Sequence, residues 1–283
     1  MWWSLGAVGG FLVWWGLASA RRALYPPAHA VPHVHTLSPE TRHTVVAPDG
    51  TSFDIWLLAP PAARARLLLC HGYFANRNQV VDIGWQLWAR GYEVVIVEMR
   101  GHGDRPGPCT LGVREAEDAQ AALVWARRRD GAHPLPVGVL GLSMGAAVAC
   151  HVALRDAHVK AVVADSVYGR LFPVLQRVLR QYYHLPAFPW AWLTWWSVEL
   201  ALRTRLAAYD PVTLAPHLRQ PLLALHGGQD HRVAPSLGEA FYRQWAGPRE
   251  RWGEPAAGHV GLFVAHPEEY IARVAGFFDR ILR

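Results

Sequence analysis

Three side chains in this sequence have the types and the order needed to turn a hydroxyl into a nucleophile. Ser143 stands in Gly141-Leu142-Ser143-Met144-Gly145, between the apolar run Val137 to Leu140 and the helical run Met144 to Arg155. A G-x-S-x-G turn from strand to helix strains the serine backbone and presents its oxygen to a reactant. With eight serines and 25 glycines in 283 residues, chance supplies only about 0.06 such patterns. A serine hydroxyl is a poor nucleophile at neutral pH, so it needs a base, a carboxylate to orient that base, and N–H donors for the oxyanion. His259, in Ala257-Gly258-His259-Val260-Gly261, is the candidate base, and Asp230, in His226-Gly227-Gly228-Gln229-Asp230, is the candidate acid. Asp165, also just beyond a strand, is the rival acid. The backbone amides of Tyr73 and Met144 are the candidate oxyanion donors, because His71-Gly72-Tyr73 follows a buried strand ending at Cys70. His71 precedes the serine and abuts that turn, and it reads as structural.

The elements that must position these residues follow from periodicity. Thr44 to Ala47 and Thr51 to Leu58 are β-prone runs around the turn pair Asp49-Gly50, which predicts a hairpin at the start of the sheet. Leu67 to Cys70, Tyr92 to Val97, Val137 to Leu140, Val159 to Ala164 and Leu222 to Leu225 read as buried strands. Between them Gln79 to Arg90, Val113 to Arg129 and Met144 to Arg155 carry helical periodicity, and a helix from Pro267 to Arg283 closes the chain. This alternation predicts an α/β fold with a mostly parallel central sheet flanked by helices. About fifty residues, roughly 167–218, interrupt it and read as an inserted helical cap. Phe188, Trp192, Trp195, Trp196 and Leu200 recur there at helical spacing, either as packing or as the lining of an apolar acyl pocket over Ser143.

The N-terminus carries a different signal. Trp2 to Ala20 has no charge, and a helix of nineteen residues covers about 28 Å, close to the hydrocarbon thickness of a bilayer. Paired tryptophans near each end and Arg21-Arg22 behind predict an N-terminal transmembrane helix. The corresponding division is a membrane anchor over 1–22, a linker over 23–41 and a catalytic domain over 42–283. The implied localisation is single-pass in the membrane with the catalytic domain cytoplasmic. The competing signal-peptide reading of Ala18-Ser19-Ala20 would make it secreted or periplasmic. The Pro- and His-rich stretch from Tyr25 to Pro39 holds His29, His33 and His35, which lack further ligands held rigidly nearby, so no metal is expected.

Composition excludes other classes. Apolar residues make up 52% and charged residues 18% of the chain, which is neither a disordered nor a coiled-coil balance. The net charge of +6 comes from arginines spread along the sequence, with Lys160 the lone lysine, so no nucleic-acid partner is expected. Cys70, Cys109 and Cys150 form neither a disulfide framework nor a zinc motif.

Taken together, the Ser143, Asp230, His259 order, the Gly141 to Gly145 elbow, the His71-Gly72-Tyr73 turn and Arg100-Gly101-His102-Gly103 resemble the α/β-hydrolase superfamily from about Val45 to Leu282. With the N-terminal segment, the chain is similar to the membrane-anchored serine hydrolases of that superfamily. The resemblance implies hydrolysis of an ester, thioester or amide through an acyl-enzyme, without cofactor or metal, on a small-molecule or lipid acyl ester. It implies the catalytic roles of Ser143, Asp230 and His259, and a structural role for the Arg100 turn. A serine aminopeptidase or acyltransferase with the same residues, and an inactive membrane-tethered binding module, are the alternatives.

Overall fold

The computed structural model describes the chain except positions 1, 28, 39, 40 and 132, and it also leaves out the side chains of residues 2–6 and 8. In chain order the elements are α1 (Trp2–Leu24), β1 (Arg42–Val46), β2 (Ser52–Leu58), β3 (Ala65–Cys70), α2 (Asn78–Trp88), β4 (Tyr92–Val97), α3 (Val113–Arg127), β5 (Val137–Leu142) and α4 (Met144–Arg155). They continue with β6 (Val159–Asp165), α5 (Leu171–Tyr183), α6 (Trp190–Leu202), α7 (Pro211–Leu214), β7 (Leu222–Gly227), α8 (Pro235–Gln244), β8 (Arg249–Glu254), α9 (Leu262–Ala265) and α10 (Pro267–Ile281). The eight strands form one sheet in the order β1-β2-β4-β3-β5-β6-β7-β8. The β1–β2 and β2–β4 pairs are antiparallel, and every later pair is parallel.

Strand alternation explains how one sheet serves two cores. Leu68 and Cys70 of β3 join the layer built with α3 and α4, where Ala116, Ala119, Ala122, Ala146 and Ala149 let the helices sit close to the strands. Leu67 and Leu69 face the opposite layer, built with Val80, Ile83 and Leu87 of α2 and Ile271, Val274, Phe277 and Phe278 of α10. Both faces are covered, so the central strands are mostly apolar, with Arg66 of β3 paired to Glu93 of β4 near the strand starts. β8 is one element that periodicity misses: Arg249, Glu250, Arg251 and Glu254 are the charges an exposed edge strand tolerates.

The N-terminal expectation is overturned. Among the described residues no helix is long and apolar enough to cross a membrane, which removes the transmembrane helix, the single-pass localisation and the membrane partner. α1 is 23 residues long and carries Arg21 and Arg22 in its last turn. Its inner face packs on protein instead. Ala20 and Leu24 are buried with Trp195, Val198 and Leu206, Trp15 lies 4.8 Å from Trp190 between ring centroids, and Thr194 Oγ1 donates to Ser19 Oγ at 3.0 Å. The side chains of Trp2 and Trp3, read as one end of the anchor, lie outside the described residues.

Between β6 and β7 the chain forms α5, α6 and α7. Phe172 of α5 meets Trp192 and Trp195 of α6 edge to face or tilted, at 4.7 and 5.2 Å. α6 is therefore sandwiched between α5 and α1.

Candidate active site

β5 delivers Ser143 at the carboxyl edge of the sheet. Its φ of 55° is left-handed, a conformation costly for a residue with a side chain. The flanking glycines make the turn sterically possible: a Cβ on Gly141 would collide with the Gly145 carbonyl, and one on Gly145 with the carbonyls of Cys70 and His71. The Ser143 N–H is anchored on the Asp165 carbonyl at 2.8 Å.

The structure brings Ser143, His259 and Asp230 together from three loops. Ser143 Oγ–H donates to Nε2 of His259 at 3.0 Å. His259 Nδ1–H donates to Oδ2 of Asp230 at 2.7 Å. Asp230 follows β7, and its other oxygen accepts the backbone N–H groups of Arg232 and Val233 at 2.9 and 2.7 Å. Its side chain is fully buried. Burial opposes its charge, yet the histidine and amide bonds outweigh that and hold its pKa well below the ordinary carboxylate value. An ionised, buried acceptor on Nδ1 fixes the tautomer in which Nε2 is free to take a proton from Ser143.

Tyr73 and Met144 lie beside the serine oxygen's turn, and among the described residues neither backbone N–H is donated to a protein acceptor. Gln79, which no sequence signal singled out, secures that loop: Gly72 N–H donates to its Oε1 at 2.7 Å. The Tyr73 hydroxyl donates to the Ala23 carbonyl of α1 at 2.8 Å. His71 is buried, bonded at 2.8 Å between Nδ1 and the Gly72 carbonyl, and accepts the Met99 N–H on Nε2 at 3.1 Å, as a structural histidine should. Arg100 forms a two-pronged ion pair with Asp118 at 2.8 and 2.6 Å, away from Ser143.

Asp165, the rival acid, does not contact His259. Its Oδ1 accepts the Ser166 hydroxyl at 2.9 Å, and Ser166 Oγ accepts the Val260 N–H at 3.0 Å, so it shapes the loop that carries the histidine. Burial pushes its pKa up to about 6, with the Ser166 bond offsetting only part of the effect.

A cavity of about 260 Å³ opens on Ser143 and His259, with Gln79, Gln229, His231, Arg232 and Tyr182 on its walls. The α6 aromatics expected to line an acyl pocket are not among its walls. Trp195 is buried against α1, whereas Phe188, Trp196 and Leu200 are exposed, and α5 alone supplies the overhang, through Tyr182.

The comparisons agree with this architecture. A family model described as serine aminopeptidase, S33, matches residues 61–179. An uncharacterised protein of Mycobacterium tuberculosis is 27% identical over 261 residues, 90% of this chain and 85% of its own length. The pimeloyl-[acyl-carrier protein] methyl ester esterase of Neisseria meningitidis serogroup A is 27% identical over 259 residues, 78% of this chain and 79% of its own. A Pyrococcus furiosus esterase structure shares the fold with a TM-score of 0.73 at 22% identity, over 92% of this chain and all of that one. Sheet order, the elbow and these likenesses show the α/β-hydrolase fold. The chain is an enzyme, a serine-type hydrolase.

Proposed function

We propose that the protein is an esterase in which Ser143 attacks the acyl carbonyl while His259 takes the hydroxyl proton at Nε2. Asp230 holds the imidazole and stabilises its charged form, and the Tyr73 and Met144 amides receive the oxyanion of the tetrahedral intermediate. Collapse expels the alcohol, protonated by His259, and leaves the acyl group on Ser143 Oγ. Water, deprotonated by the same histidine, then releases the acid and restores the serine. The observation that carries this reading is the continuous pair of bonds, 3.0 Å from Ser143 to His259 and 2.7 Å from His259 to Asp230.

The cavity favours a compact ester over a long apolar chain. About 260 Å³ falls below the usual range of roughly 300 to 1,000 Å³ for ligand pockets, and its glutamines, His231 and Arg232 are polar. The family model's description raises an aminopeptidase as the second reading. Such an enzyme needs an acid to receive the substrate's ammonium group, and the cavity walls carry Arg232 but no aspartate or glutamate. Like charge there disfavours the ammonium. A panel of p-nitrophenyl esters from acetyl to octanoyl, set beside aminoacyl p-nitroanilides, tests this. Highest kcat/KM on the shorter esters with the anilides inert is expected, and faster cleavage of the anilides overturns the esterase reading.

A further inference from the structure

Asp230 is bonded to one histidine by the proposed mechanism, and the structure gives it a second. His226, at the end of β7, has a half-buried ring whose Nε2 lies 2.8 Å from the Val233 carbonyl and 3.4 Å from Oδ2 of Asp230. Oδ2 is the same oxygen that accepts His259 Nδ1–H. A carbonyl accepts only, so the Val233 contact requires a proton on Nε2 of His226, and that proton is shared with the carboxylate. Val233 N–H meanwhile donates to Oδ1 at 2.7 Å. The 230–233 turn is thus closed on both sides of one imidazole.

We propose that His226 is a positioning residue for the acid: its Nε2–H holds Oδ2 of Asp230 on His259, and a second proton on its Nδ1 draws the carboxylate's charge away from His259. This rests on the Ser143, His259, Asp230 reading above. Nδ1 is the atom free to titrate. It packs near Gly238 of α8, and the ring forms part of the wall of a second cavity of about 530 Å³. The charged groups facing the ring are Asp230 on its own loop, Asp165 at the end of β6, Glu239 on α8, and Arg251 and Glu254 on β8. Burial disfavours charging His226, but the bonds to Asp230 and the Val233 carbonyl, with the nearby carboxylates, outweigh it and raise its pKa above the ordinary histidine value.

The sign of the effect follows from charge. Below its pKa the His226 cation competes for the negative charge that makes His259 basic, so activity falls as His226 takes its second proton. The full-length enzyme is assayed on p-nitrophenyl acetate from pH 5 to 9 as wild type, His226→Gln and His226→Leu. Glutamine keeps an N–H donor and does not titrate; leucine has neither property. The Leu variant is expected to lose about 10- to 100-fold in kcat with KM little changed, and the Gln variant to recover most of it. The acid limb of log(kcat/KM) should be steeper in the wild type than in the Gln variant, by the one ionisation that glutamine lacks. Equal slopes in those two proteins overturn the proposal, as does a Leu variant with wild-type kcat. If the Leu variant does not fold, the slope comparison decides alone. Ser143→Ala is run in parallel: His226 variants matching wild type beside a dead Ser143→Ala refute only this inference, whereas an active Ser143→Ala refutes the underlying mechanism.

Discussion

At the catalytic crest, polar groups from distant loops are locked by directional bonds; in the layer of α1 against α6, rings and small side chains are held by shape. Asp230 accepts from two backbone amides and His259 within 2.9 Å. Across the α1–α6 seam the contacts among the described residues include Trp15 on Trp190 at 4.8 Å and Phe11 on Trp190 at 6.0 Å, with a side-chain hydrogen bond from Thr194 to Ser19. Directional bonds leave chemical signatures in sequence, because only certain residue types make them. Shape packing leaves an apolar count, and such a count does not say whether the apolar surface meets lipid or protein. The two regions touch through Tyr73, whose hydroxyl reaches the Ala23 carbonyl while the residue also lines the cavity that opens on Ser143.

The largest expected effect lies at the crest. Asp230→Asn should lower kcat by about 10³- to 10⁴-fold, because a neutral amide permits the wrong imidazole tautomer. Asp165→Asn, tested in the same ester assay, should leave kcat near wild type, since Asp165 makes no bond to His259. The reverse outcome would move the acid role to Asp165 and dissolve the contrast drawn here.

Asp165 should instead govern stability. Its folded pKa of about 6 lies above the ordinary carboxylate value, so the folded state holds the proton more tightly than the unfolded chain does. The stabilisation is complete below about pH 4 and is lost as pH rises through about 6. Across roughly two units this amounts to about 3 kcal/mol. Asp165→Asn should therefore be more stable than wild type at pH 8, with the difference closing toward pH 4 in urea denaturation. A constant difference across that range would mean that Asp165 is ionised in the fold.

A smaller effect is expected in the α1–α6 layer. Trp15→Ala should destabilise by about 1 to 2 kcal/mol through lost ring packing. The value is modest because the Trp15 indole N–H is buried without a hydrogen-bond partner among the described residues, and its removal returns part of the loss. kcat should stay near wild type. Unchanged thermal stability would show that α1 does not pack on α6 in solution.

The uneven legibility of the chain has the same origin. Gly141, Ser143 and Gly145 were readable because the elbow needs those types at that spacing, and Asp230 and His259 because each sits in a glycine-rich loop just past a strand or before the last helix. β8 was not readable, since its Arg and Glu residues suit an exposed edge but carry no apolar run. His226 and Gln79 were missed because their roles are defined only by what the fold sets beside them, Asp230 in one case and the Gly72 amide in the other. The tryptophans of α6 were legible as an apolar cluster, but their partners on α1, about 175 positions earlier, were not.

The central claim is that Ser143 is the nucleophile, poised by His259. Labelling the full-length enzyme with a fluorophosphonate probe and mapping the adduct by peptide mass spectrometry tests it directly. A single adduct on Ser143, and none on a folded Ser143→Ala variant, is the predicted result. An adduct on another residue, or a labelled Ser143→Ala protein, would contradict it.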